Sequence, residues 1–186
     1  LILDLRNNGG GYLDILGDIS GYLLKNARGT SPVVAFAKYK DGTKEKFYAS
    51  KNVYNDYFPS NGKITVLADH NTASASECLI GAMIDYGSIG FEDVVLSARS
   101  VFETKNGETV RTEEIKTYGK GIMQTTFTRR TDAGTEAIKL TTAKIFWPNG
   151  NSIHGKGIVL SDGARQVAEN LKKDAELISA IELVGL

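Results

Sequence analysis

At 186 residues, 41% hydrophobic and 9% aromatic, the chain is long enough for one ordinary globular core and short for two. Lys plus Arg and Asp plus Glu number 22 each and are interspersed rather than blocked, so the basic excess that binding a phosphate backbone requires is missing and nucleic acid is excluded as an expected partner. The single cysteine, Cys78, rules out an internal disulfide, and two histidines, His70 and His154, are too few for a thiolate or imidazole metal cluster.

The chain opens inside an apolar run, Leu1 to Leu5, with no turn or cap before it, which predicts a piece of something longer. Leu1 to Arg6 reads as a buried strand, Asn7 to Gly11 as a glycine turn that permits close backbone approach, and Tyr12 to Asn26 as a helix burying Leu13, Leu16, Ile19 and Leu23, stopped by Gly29. Val33 to Tyr39 and Glu45 to Ala49 flank Asp41-Gly42 and predict a hairpin. Pro59 to Gly62 makes a turn, Ile64 to Ala68 a second buried strand, and the stretch after it a helix with Leu79, Met83 and Tyr86 on one face. Strand followed by helix thus occurs twice, the signature of an α/β core.

Asp93 to Ile115 holds two strand-like runs around Asn106-Gly107 and reads as a β-hairpin insertion. Ile122 to Arg129 and Glu136 to Trp147 are further strands, and Ala164 to Val184 reads as a closing helix. No linker or tandem repeat divides the chain, so residues 1–186 are expected to form one domain. No apolar run reaches the roughly 20 residues that span a bilayer.

Chemistry concentrates in "ADHNTASASECLIGAMIDYG", residues 68–87. Ser74-Ala75-Ser76-Glu77 has the spacing of a capping box, in which hydroxyl and carboxylate satisfy free amides at a helix start. The same position suits a nucleophile: a hydroxyl on a strand-to-helix turn between small residues is open to a carbonyl group, and the Ala75 amide with the helix dipole favours a developing oxyanion. Both readings fit one geometry.

A nucleophilic serine needs a base. His70 lies four residues before Ser74, His154 falls in a turn, and Lys120 and Lys156 each sit between glycines. Gly-Lys is followed by Gly rather than Ser or Thr, so neither lysine belongs to a P-loop, and loop chemistry alone accounts for their glycines. Lys120 is distinguished by Gln124 four residues on, which shares its face if the segment is a strand. Ser60-Asn-Gly-Lys63 matches a Ser-x-x-Lys pattern but runs into a strand and reads as a turn.

Taken in order, "LILDLRNNGGG", "TASASECLIGAMIDYG", "TYGKGIMQ", "IKLTTAKIFWPNGNSIHGKGI" and the closing helix resemble the catalytic core of the tail-specific, or carboxyl-terminal processing, proteases of the S41 peptidase family, over roughly Leu1 to Gly157. The resemblance implies a ClpP/crotonase-type α/β core and a serine endopeptidase that uses a Ser/Lys dyad with no metal or other cofactor. It places the nucleophile on Ser74, the general base on Lys120 and the assisting glutamine on Gln124. The oxyanion donors fall on the amides of Ala75 and Gly10, the latter favoured over Gly11. The family's acidic residue falls on Asp85, about 16 Å along the helix from Ser74, where a structural helix-end carboxylate is an equal reading.

By the same resemblance the substrates are proteins or peptides with extended C-terminal tails, the compartment is extracytoplasmic, and a PDZ domain belongs to the region before Leu1. Three departures stand out: the long segment 93–115, Gly9 where proline is expected, and the missing PDZ domain. Two other readings remain open from the sequence. One is a module of the same fold that captures tails without cutting them, and the other is a serine hydrolase based on His70 or His154.

Overall fold

The structure is a computed structural model and describes residues 1–25, 31–51, 62–160, 163–166 and 175–185. In chain order its elements are β1 (Ile2–Asp4), α1 (Leu13–Leu23), β2 (Val33–Tyr39), β3 (Lys44–Tyr48), β4 (Thr65–Ala68), α2 (Ala75–Asp85), β5 (Val94–Leu96), β6 (Arg99–Lys105), β7 (Glu108–Glu114), β8 (Ile122–Thr131), β9 (Gly134–Phe146), β10 (Arg165–Gln166) and α3 (Ala175–Val184). They build a parallel sheet, β1-β4-β5-β10, an antiparallel sheet, β3-β2-β9-β8, and a separate hairpin, β6-β7.

The parallel sheet is covered on both faces, as parallel sheets require. Alternation along β4 and β5 sends Val66, Ala68, Val94 and Leu96 into the main core, which also holds Leu79, Ile80 and Met83 of α2, while Leu67 and Val95 meet Ala180 of α3 on the other side. The antiparallel sheet adds Ala35, Ala37, Ala143 and Ile145 to the main core.

Three expectations need correction. The segment from Asp93 is not all insertion, because Val94–Leu96 pairs in parallel with β4 and is fully buried. Its apolar run Val94-Val95-Leu96 is a core strand, and only the hairpin beyond it leaves the core. The segment from Ala164 is not helical at its start, since Arg165 and Gln166 extend the parallel sheet beside β5. Residues 167–174 lie outside the described set, as do Asn26, Gly29 and residues 59–61 of the expected turn.

In α1, Ile19 is 43% exposed rather than buried. The helix instead turns its small residues inward: a Cβ on Gly17 would stand 2.5 Å from the Tyr48 carbonyl oxygen, and one on Gly21 1.9 Å from that of Lys51. That close approach rotates Ile15 and Ile19 toward solvent, where they line a cavity beside the glycine turn.

Candidate active site

β4 ends at Ala68 and α2 begins at Ala75, and the turn between them is tied down from several sides. The buried Asp69 carboxylate accepts the amides of Asn7 at 3.0 Å, Asn71 at 2.9 Å and Thr72 at 3.0 Å, which joins this turn to the glycine turn after β1. Ala73 donates its amide to the Asn8 carbonyl at 3.0 Å, and Tyr118 donates to the Thr72 carbonyl at 3.0 Å. Ser74 follows with φ 59° and ψ −118°, a strained conformation for a residue with a side chain, of the kind surrounding structure must impose.

The three hydroxyls of this stretch separate by environment. Thr72 is fully buried and donates to the Leu5 carbonyl at 2.8 Å, so its hydroxyl is committed to the backbone. Ser76 is 5% exposed and lines an apolar cavity of about 210 Å³ together with Leu5, Tyr12, Ile15, Ile19 and Leu79. Ser74 alone of the three lines a larger cleft, about 510 Å³, whose walls include Gly10, Ala75, Lys120 and Gln124.

Glu77 accepts the Ser74 amide at 2.9 Å, the carboxylate half of the capping box, while the Ser74 side chain lines the cleft. Glu77 does more than the capping motif implies. Fully buried, it also accepts the Thr117 hydroxyl at 2.6 Å and the amides of Gly119 at 2.7 Å and Lys120 at 3.0 Å. One carboxylate therefore fixes the start of the serine-bearing helix and the loop that carries the lysine. Sequence reading finds Glu77 only as a cap, and nothing in the sequence signals Thr117, which is buried and braced by the Ile158 amide at 2.8 Å.

Lys120 is half-buried and stands just before β8, so strand alternation does not place it; a register shift between Met123 and Gln124 further breaks the alternation on which the pairing with Gln124 was argued. The two nevertheless line the same cleft. Gly10, at φ 90°, packs against the serine turn: an added Cβ would lie 2.6 Å from the Ala73 carbonyl oxygen, 2.7 Å from the Ala75 nitrogen and 2.9 Å from Ser74 Cβ. Its amide donates to Asn8 Oδ1 at 3.0 Å, so this expected oxyanion donor is engaged within its own turn.

Residues 1–90 match the sequence model described as peptidase family S41. That match marks the first 90 residues, just under half of the chain, as S41-like. The chain is 34% identical over 158 residues, 85% of its length and 26% of the relative, to "Probable CtpA-like serine protease" of Staphylococcus epidermidis. It thus spans about a quarter of the length of the curated relatives it matches. Its fold superposes on the photosystem II D1 C-terminal processing protease with a TM-score of 0.62 at 22% identity, covering 100% of this chain and 39% of that one. A lipoprotein from Streptococcus agalactiae gives 0.60 at 18% identity, covering 99% and 53%. These likenesses establish the α/β fold of S41 protease domains.

The remaining candidates fall away from the cleft or are chemically quiet. Asp85 lines neither cavity; it accepts the Asn149 amide at 2.9 Å and the Asn149 side chain at 2.6 Å, joining the end of α2 to the turn after β9, and burial raises its carboxyl above the usual range. His70 sits in the turn after β4 and lines neither cavity, whereas His154 is exposed on a side opening that Lys120 and Gln124 share. Cys78 reaches the cleft wall, but burial, with the Glu77 charge behind it, pushes its thiol up to about 12, which removes it as a competing nucleophile.

Proposed function

We propose that this chain is the core of a serine endopeptidase in which Ser74 is the nucleophile, Lys120 the general base and Gln124 its assistant. The observation that carries the reading is that Ser74, alone among three neighbouring hydroxyls, opens onto a cleft it shares with Lys120 and Gln124. Neutral Lys120 Nζ takes the Ser74 proton as Oγ bonds to a peptide carbonyl carbon. The ammonium then protonates the leaving amine as the C–N bond breaks, and the neutral amine next activates the water that hydrolyses the acyl-enzyme.

The oxyanion would face the Ala75 amide at the N-terminus of α2 and the Gly10 amide, once Asn8 yields it. β8 is an edge strand and carries Gln124, so an extended, unstructured C-terminal tail can add along it. The apolar cavity beside Gly10 and Ala75 is placed to take a nonpolar side chain next to the scissile bond. A PDZ domain working with this core and an extracytoplasmic location fit this reading and the match to peptidase family S41.

One observation favours a second reading. With the Gly10 amide held by Asn8, the oxyanion site is half filled, as suits a module that captures tails without cutting them. Incubating the purified protein with an unstructured, apolar-tailed polypeptide separates the two. Cleavage lost in both Ser74→Ala and Lys120→Ala supports the peptidase; tail binding without cleavage supports capture; cleavage surviving Ser74→Ala sinks the assignment of the nucleophile.

A further inference from the structure

The charges of this chain balance in total, but the antiparallel sheet segregates them. Register places Lys44 of β3 opposite Lys38 of β2, and Lys38 opposite Lys144 of β9, so three ammonium-bearing residues stand in one row on strands about 4.8 Å apart. The next row sets Lys46 opposite Phe36 and Phe36 opposite Phe146. Cross-strand partners share a face, and Ala35, Ala37, Ala143 and Ile145 between them are buried in the core, so these six residues occupy the outer face.

All four lysines are exposed, and none is ion-paired among the described residues. The Phe36 and Phe146 rings stack at 5.1 Å, and Lys44 Nζ lies 5.5 Å from the centre of Phe36. The nearest carboxylates along the hairpin are occupied: Glu45, on the opposite face by alternation, accepts the Tyr39 hydroxyl, and Asp41 accepts the Thr43 amide at 2.8 Å. Like charges directly opposite on neighbouring strands destabilise a sheet. An external anion would relieve that repulsion.

We propose that this face docks on an anionic lipid surface. The basic rows lie across three strands of a sheet face, and none of their residues lines the cavities described above, which favours a broad anionic layer over a threaded acidic peptide. The cations are all lysines, hydrated point charges suited to diffuse attraction rather than to the bidentate capture of single carboxylates. The aromatic pair between them supplies the apolar contact favoured at a headgroup boundary. Docked this way, the protein leaves its cleft residues outside the contact.

Cosedimentation of the purified protein with phosphatidylcholine vesicles, with and without phosphatidylglycerol, tests this. The expected result is binding only to the phosphatidylglycerol vesicles, weakening with added salt. Each lysine is expected to contribute about fivefold, so the triple variant Lys38→Gln, Lys44→Gln, Lys144→Gln should bind about a hundredfold more weakly. The corresponding triple arginine variant, which keeps the charge, should bind as the parent does. Circular dichroism of both variants matching the parent assigns the loss to charge rather than misfolding. Binding unaffected by the glutamine substitutions, or no binding to phosphatidylglycerol vesicles, overturns the proposal. Lysine-dependent retention of soluble polyglutamate without vesicle binding overturns it in favour of an acidic polypeptide partner.

Discussion

Glu77 and Lys120 are joined through the oxygen that also holds the turn bearing Ser74: Glu77 Oε2 accepts the Lys120 amide at 3.0 Å and the Ser74 amide at 2.9 Å. The second oxygen holds Thr117 and Gly119. A single buried side chain thus sets the distance between two loops that lie more than forty residues apart in sequence.

Replacing Glu77 should therefore damage both stability and activity. Glu77→Ala leaves several amides and a buried hydroxyl without their acceptor, at a cost of about 2–4 kcal/mol. Urea unfolding measures that cost, and peptide cleavage under folded conditions should fall even where the variant remains native. A Glu77→Ala protein with parental stability would show that the carboxylate is not the tie described here.

Gly10→Ala puts a Cβ within 2.9 Å of three atoms of the serine turn at a φ of 90°. The turn must move, and the expected outcome is a fall in kcat of about a hundredfold, on the scale of losing an oxyanion donor. Steady-state kinetics on a peptide substrate checks this, and a change confined to KM would contradict it.

Cys78 gives a pH prediction with a definite sign. Its ordinary value is 9.0 and its folded value about 12, so the native state keeps the proton that the unfolded chain releases. The stabilisation is complete below pH 9 and is lost as pH rises from about 9 toward 12. Urea unfolding of the parent and of Cys78→Ala across pH 8 to about 10.5 should show a steeper decline for the parent. A thiol reagent should leave the native protein unmodified near pH 8, and rapid labelling would refute the burial argument.

The β6-β7 hairpin pairs its own strands, with Arg99 opposite Glu114 at its base. Cross-strand partners lie about 5 Å apart, so a short Gly-Ser link can replace the segment between them. The shortened protein should keep its fold by circular dichroism and melt within a few degrees of the parent. Cleavage of long but not short substrates should change if the hairpin shapes the approach to the cleft.

The alternation of strand and helix, the Asp41-Gly42 hairpin, the buried strand at 65–68 and the helix after Ser74 were all legible in the sequence, because each rests on local periodicity, turn chemistry or helix-start residues. So was the candidate set of Ser74, Lys120 and Gln124, through the order of several short motifs. Tertiary structure alone decided which of three hydroxyls opens onto the cleft that Lys120 also lines, since Thr72, Ser74 and Ser76 share one local pattern and differ only in what packs around them. It also decided that Val94–Leu96 is core rather than insertion, that Glu77 is a tie and not only a cap, and that balanced charges gather on one sheet face. Each of these depends on pairing or contact between segments distant along the chain, and neither spacing nor composition encodes which segments will meet.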